Sequence, residues 1–287
     1  MQKTALLLIL GLIFVSACLN TNTKKGEVGV SEVTTPDVYL KIESVPTEVT
    51  TGKSLNLIFT LENMQDKDLE NVNMIAFDQC LFSGTSVYPE TGTLDLKPNR
   101  TERWTWKWTA GQTQFDRDCT IKFKTDYESN MSVSQDVIVL TETEFVTREL
   151  QGTLAQLQPT SSSSSSPISI SMEFSENQPF QEKDKVLMEI NYENTGGGFI
   201  DNFEPGDITI EVPTNLEYPD CGISYTYDSS SRTLTLARTL TFISNKAPTT
   251  SCKFNTTSEQ PVSTKPLTLT ANYKYNFDNS IIVKVKR

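Results

Sequence analysis

Residues 54–61, Ser54-Leu55-Asn56-Leu57-Ile58-Phe59-Thr60-Leu61, place an apolar side chain at every second position. Residues 185–192, Lys185-Val186-Leu187-Met188-Glu189-Ile190-Asn191-Tyr192, repeat the pattern, and each stretch is followed by Glu-Asn. Successive side chains of a β-strand point to opposite faces, so a period of two predicts strands with one buried face. The two stretches therefore predict two halves built on one plan.

Alternation extends to other segments in both halves. Residues 38–42 and 168–172 open the halves, and each half closes with a two-strand pattern, at 120–123 with 136–139 and at 271–275 with 281–285. Frequent Thr and Val, with turn signals about every ten residues, are typical of all-β sandwiches. The one helical candidate, residues 145–158, could be a short helix or the end of a strand.

A serine run divides the chain. Ser161 to Ser166 lie between two prolines and cannot build a core, so residues 151–166 are predicted to be a linker. The polar residues 18–35 are predicted to be a flexible tether. The fold class is then all-β, with two tandem immunoglobulin-like sandwiches at residues 36–150 and 167–287.

The N-terminus carries a secretion pattern. Lys3 precedes an apolar run over residues 5–15, and Val15-Ser16-Ala17 leads to Cys18. This pattern predicts a signal peptide at residues 1–17 and a lipid on Cys18, which becomes the first mature residue. A plain signal peptide and a membrane span are the alternatives, and the run is shorter than the ~20 residues that a span needs.

Four cysteines remain, one pair in each half. Of the three possible connectivities, only Cys80–Cys119 with Cys221–Cys252 keeps both disulfides within a half. Such pairs predict an oxidising compartment. A four-cysteine zinc site is the alternative, and the lack of any Cys-x-x-Cys spacing argues against it.

Composition restricts the chemistry. The formal net charge is −11, which disfavours nucleic acid as a partner because phosphate binding needs a basic surface. The chain has no histidine, so a Ser-His-Asp or Cys-His site cannot form within it. Carboxylate chemistry of the glycosidase type remains open.

The three tryptophans, Trp104, Trp106 and Trp108, lie at a period of two and so share one face of a strand. An exposed stripe could stack on sugar rings, whereas a buried one would form the core of a sandwich. We favour the core, because aromatic side chains dominate such interiors.

A resemblance rests on residues 45–52, Val-Pro-Thr-Glu-Val-Thr-Thr-Gly, with the alternating strand that follows them, and on residues 96–99, Leu-Lys-Pro-Asn, before the tryptophans. These segments resemble the immunoglobulin-like adhesion modules of the CARDB type on archaeal and bacterial surfaces. Asn99 stands where glycine is usual, and the second half matches through residues 181–194. The resemblance implies seven-stranded sandwiches with an extracellular scaffold or binding role, and it carries over no catalytic residue.

Several polar clusters could bind ligands. Asn194 to Gly198 contains three glycines and is predicted to be a turn, since a phosphate loop needs a following helix and a lysine. Asp201, Glu204 and Asp207 could collect Ca²⁺, but their spacing matches no EF-hand and favours a solvated turn. The clusters 66–68 and 116–118 are also typical of turns. We assign no catalytic, cofactor-binding or metal-binding residue.

Three sequons, at Asn99, Asn130 and Asn255, fall in predicted turns and are candidate N-glycosylation sites. Taken together, these features predict a lipid-anchored envelope lipoprotein of archaeal or bacterial type on the extracellular or periplasmic side of the membrane. It would bind envelope proteins or surface glycans without catalysis or cofactor. An accessory or solute-binding subunit of a membrane transport or secretion complex is the alternative, and a carboxylate-based glycan hydrolase is the third.

Overall fold

The structure is a computed structural model that describes residues 29–287. Cys18, the predicted signal peptide and most of the predicted tether lie outside the described residues. The described chain is mostly β-structure, with one short α-helix and two disulfides. The all-β prediction is therefore confirmed.

The strands of the first half are β1 (Val30–Thr34), β2 (Val38–Val45), β3 (Glu48–Thr50), β4 (Ser54–Asn63), β5 (Leu69–Asp78), β6 (Phe82–Ser83), β7 (Val87–Tyr88), β8 (Leu94–Leu96), β9 (Thr101–Ala110) and β10 (Arg117–Leu140). Helix α1 (Glu142–Gln151) and a 3-10 turn (Leu154–Gln156) follow. Strand β1 lies within the range predicted to be a tether, so that prediction is wrong from Val30 onwards.

The strands of the second half are β11 (Ser161–Ser163), β12 (Ile168–Phe174), β13 (Phe180–Gln181), β14 (Lys185–Asn194), β15 (Asn202–Phe203), β16 (Ile208–Glu211), β17 (Leu216–Asp220), β18 (Tyr225–Asp228), β19 (Thr233–Leu236), β20 (Leu240–Thr241), β21 (Lys246–Thr256) and β22 (Val262–Lys286). Strand β11 consists of serines from the predicted linker. It pairs with Val133–Gln135 of β10.

Three larger sheets organise these strands. One sheet has the order β1-β2-β4-β9-β6, and another has the order β12-β14-β21-β17. The main path of the 11-stranded sheet runs β18-β19-β16-β22-β10-β5-β7. The first sheet packs on β10, where the ring of Phe123 lies 5.4 Å from that of Phe59 and 6.1 Å from that of Trp106.

One long antiparallel ladder joins the two halves. Strands β10 and β22 pair without a register shift from Arg117 opposite Val285 to Leu140 opposite Val262. Because a strand rises about 3.3 Å per residue, this ladder of 24 residues extends for roughly 80 Å. The last residues of the ladder, near Val285, also pair with β3 in the first half.

The prediction of two separate tandem sandwiches is not confirmed. The segments 120–123 and 136–139, expected to be neighbouring strands of one domain, are parts of the single strand β10. Segments 271–275 and 281–285 are likewise parts of β22. Polar residues such as Asp126 and Asn130 resemble turns in sequence, yet the buried alternation continues through them.

The core runs through both halves as one cluster of buried apolar side chains. Trp104, Trp106 and Trp108 all belong to it, which confirms the core interpretation of the tryptophan stripe. Trp108 donates its indole N–H to the Thr85 carbonyl oxygen at 2.6 Å. Residues 145–151 of the helical candidate lie in α1, which is capped by Thr141 and ends at Gly152 with a φ of 66°. Leu154–Gln156 form the 3-10 turn.

Candidate functional site

Three features stand out: a buried polar cluster, an acidic cleft and a groove beside a strand edge. The first two meet at Ser129 and Tyr273, on the paired strands β10 and β22. The groove lies further along β10, next to the serine strand β11.

The buried cluster surrounds Asp37, a fully buried residue between β1 and β2. Its Oδ2 accepts hydrogen bonds from the hydroxyls of Tyr127 at 2.8 Å and Tyr273 at 3.0 Å. Its Oδ1 is buried and has no hydrogen-bond partner among the described residues. The carboxylate is thus held by two tyrosines from the two long strands.

Burial sets the electrostatics of this cluster. Loss of water raises the pKa of Asp37 to about 6, although Gln65 and the two tyrosine hydroxyls favour the charged form. Burial and the Asp37 charge raise the pKa of Tyr127 and of Tyr273, so both hydroxyls remain donors. The raised pKa means that Asp37 changes charge in mildly acidic solution.

A second layer of polar side chains encloses these tyrosines. Gln65 donates to the Tyr273 hydroxyl at 3.4 Å and accepts from Ser129 at 3.0 Å. Ser166, the last serine of the run, donates to the same Tyr273 hydroxyl at 3.2 Å. The network therefore links the start of the described chain, both long strands and the end of the serine run.

The acidic cleft opens beside this network and encloses about 500 Å³. Its carboxylates are Asp68, Glu70, Glu128 and Asp207, and Lys274 is the cation among its lining residues. Lys97 forms an ion pair with Asp68 at 2.5 Å, and the side-chain amide of Asn71 donates a hydrogen bond to Glu128 at 2.8 Å. Across residues 29–287, no group of three or more acidic or cysteine side chains is arranged to hold a metal ion.

The groove encloses about 240 Å³ between β10 with β11 on one side and β12 on the other. Val133 and Gln135 line the first side, with the three exposed serines of β11. Ile170, Ser171 and Met172 line the second. Strand β12 is an edge of its sheet, so the side of its backbone away from β14 has no strand partner.

The predicted disulfides are both present, Cys80–Cys119 and Cys221–Cys252. They close separations of 39 and 31 residues, which stabilises the fold by roughly 3–4 kcal/mol each in the chain-entropy model. Two closed disulfides suggest an extracytoplasmic location.

The sequons lie in different environments. Asn99 is exposed in the turn before β9, at a φ of 54°. Asn130 lies within β10 opposite Asn272, and Asn255 lies within β21 between Lys185 and Glu217. The prediction of a turn therefore holds for Asn99 and is wrong for the other two.

Two of the carboxylates considered for Ca²⁺, Glu204 and Asp207, accept local hydrogen bonds. The carboxylate of Glu204 accepts from Asn202 at 2.5 Å and from Thr239 at 2.8 Å. Asp207 accepts from the backbone N–H of Glu204 at 2.7 Å, and burial raises its pKa. These contacts support the interpretation as an acidic turn.

The glycine loop and the other acidic clusters are also structural. Gly198 donates its N–H to the Tyr275 hydroxyl at 2.8 Å, and a Cβ there would collide with the Asn276 carbonyl oxygen. Asp116 accepts from the backbone of Arg287 at 3.0 Å, and Asp68 pairs with Lys97. The structure does not bring the clusters 66–68 and 116–118 together at a shared site.

Sequence reasoning missed the Asp37 cluster. Asp37 lies 90 residues from Tyr127 and 236 residues from Tyr273, and no local pattern connects them. The one signal in the sequence is that Tyr127 and Tyr273 continue the buried alternation of their strands.

No protein-family model matches the chain, and no curated protein matches it either. Among solved structures, it is similar to the Fcho1 Mu homology domain of Danio rerio with a bound Eps15 peptide. The identity is 9% and the TM-score 0.24, over 80% of this chain and 86% of the other. This similarity assigns no family, and the resemblance to CARDB-type modules is not confirmed. Within residues 29–287, no helix has the length and apolar character to cross a membrane.

Proposed function

We propose that this protein is a lipid-anchored, non-enzymatic component of the cell envelope that binds other envelope molecules. The lipoprotein pattern ending at Cys18 supports the anchor, and the two disulfides support a position outside the cytoplasm. The observation that carries the binding role is the groove along the edge strand β12, whose outer side has no strand partner.

Fractionation of cells tests the anchor. Wild-type protein is expected in the membrane fraction. Cys18→Ser is expected in the soluble extracytoplasmic fraction, because serine has no thiol to carry the acyl chains that hold the protein in the membrane. Retention of the serine variant in the membrane would contradict lipid anchoring.

Site-specific photo-crosslinking in intact cells tests the binding role. A photoreactive residue at Ser171, in the groove, should join the protein to an envelope component. The same residue at Ser251, exposed on the central strand β21, is the matched control and should give no such product. Equal products from both positions, or none from Ser171, would contradict a binding role for the groove. Products consisting of an integral membrane complex would instead identify an accessory subunit.

A further inference from the structure

We propose that the free edge of β12 binds an extended segment of a partner polypeptide that carries a lysine or arginine opposite Glu173. The added segment becomes a fifth strand of the sheet β12-β14-β21-β17. This inference rests on the proposed binding function and specifies the chemistry of the partner.

The direction of the backbone groups on β12 follows from its neighbours. Just beyond its two ends, the N–H of Ser175 donates to Leu187 and the N–H of Thr195 donates to Pro167, both at 2.9 Å. Residues 167 and 175 therefore form hydrogen-bonded pairs in the register of β12 with β14. Such pairs recur at every second residue, so the backbone groups of Ile170 and Met172 point away from β14 into the groove.

Among the edges of the three larger sheets, β12 is the longest without a bulge, lysine, arginine or proline. Strand β1 also lacks these features but has five residues. Natural edges are usually short, twisted by bulges, or marked by lysine or proline. Strand β17 contains Pro219 and a register shift, and β18, β6 and β7 have four, two and two residues. Strand β12 has seven residues in unbroken register, with no lysine, arginine or proline.

The serine strand β11 does not pair with β12. Its three side chains are exposed, and its backbone already pairs with β10 on the opposite side. The groove between β11 and β12 is lined by Val133, Ile170 and Met172 together with serine hydroxyls. An added strand with alternating side chains would therefore direct apolar groups into the groove and polar groups towards solvent.

Charge identifies the outward-facing partner residue. Glu173 lies directly opposite Glu189 on β14, and both side chains are exposed. Neither makes an ion pair with any described residue. Like charges directly opposite each other destabilise a sheet, and a cation on the next strand offsets that repulsion.

A second copy of this chain fits less well. Strand β12 contains no lysine or arginine, so pairing two copies edge to edge along β12 supplies no cation for Glu173. A basic, extended segment of another polypeptide can hydrogen-bond to the backbone of Ile170 and Met172 and can also place a cation opposite Glu173.

Hydrogen exchange of the full chain with synthetic peptides tests the proposal. The probe is a capped heptapeptide of alternating valine and threonine with one central lysine, and its control carries glutamate in place of that lysine. Peptide at ten times its dissociation constant should slow exchange at the amides of Ile170 and Met172 by about tenfold. The amides of Ser169 and Ser171 already donate to β14 and serve as internal controls.

Charge reversal separates this mode of binding from non-specific adsorption. Glu173→Lys should reverse the preference, so that the glutamate peptide protects Ile170 and Met172 better than the lysine peptide. Glu217→Lys, on the opposite edge strand β17, is the matched control and should keep the wild-type preference. Unchanged exchange at Ile170 and Met172 with millimolar peptide, or an unchanged preference in Glu173→Lys, would overturn the proposal. These results do not test the lipid anchor or the cellular binding role, which are tested separately by fractionation and by cross-linking in cells.

Discussion

At the scale of single residues, the buried carboxyl group of Asp37 makes the stability of the fold depend on pH. The carboxyl group is fully buried, yet only Oδ2 has hydrogen-bond partners. Burying a carboxyl group with one oxygen that accepts no hydrogen bond costs much more free energy in the charged form than in the protonated form. The folded state therefore favours protonated Asp37.

This preference predicts a pH dependence of stability. Because the pKa of Asp37 is raised from 3.8 to about 6 on folding, its contribution is complete below pH 3.8 and is lost as pH rises through about 6. The free energy of unfolding should fall by about 3 kcal/mol from this group over that range. Asp37→Asn should remove that part of the fall, as measured by urea unfolding between pH 4 and pH 7.

A second variant checks the origin of this effect. Tyr127→Phe removes one hydrogen bond to the charged carboxylate, so it should raise the pKa of Asp37 further. Carbon NMR titration of the Asp37 carboxyl group would measure both midpoints directly. An Asp37 midpoint near 4 in the wild-type protein would mean that burial does not disfavour the charged carboxylate, and the predicted pH dependence would then be wrong.

At the scale of elements, alternation predicts the strands well but not where they end. Strands β4 and β14 lie where the sequence places them, and the tryptophans of β9 are buried as favoured. The sequence divides strand β10 in two because Asp126 and Asn130 resemble turn residues. Their side chains face outwards, while Tyr127, Ser129 and Met131 continue the buried face. Turn propensity is a local property, and the ladder with β22 overrides it.

The same difference between turn and strand predicts which sequon is modified. Asn99 is exposed in a turn, where a glycosyltransferase can reach the backbone on both sides. Asn255 lies in a strand with partners on both sides, and Asn130 lies in the long ladder. Intact-mass and peptide analysis of protein from its native cells should find glycan at Asn99 alone, and Asn99→Gln should remove it. Glycan on Asn255 would show that modification precedes folding.

At the scale of the whole molecule, the ladder of β10 and β22 decides how the halves depend on each other. The repeated plan of the two halves is visible in the sequence, whereas their shared sheet is not. Pairing of Arg117 with Val285 joins residues far apart in the chain, and no local pattern reports such a contact. The disulfides could be predicted because each half contains two cysteines, and only one pairing keeps both disulfides within a half.

The shared ladder predicts one cooperative unfolding transition for the whole chain. Residues 29–166 produced alone should not fold, because β10 then loses β22 along its entire length and the buried ring of Tyr127 loses its neighbour Tyr275. Residues 167–287 alone should fail for the same reason. Adding the two fragments together should restore the near-ultraviolet circular dichroism of the tryptophan core, since each supplies the partner strand of the other.

Calorimetry of the intact chain should show one peak whose calorimetric and van't Hoff enthalpies agree. A cooperative melt of residues 29–166 on their own would mean that the first half holds its core without β22, as two independent sandwiches require.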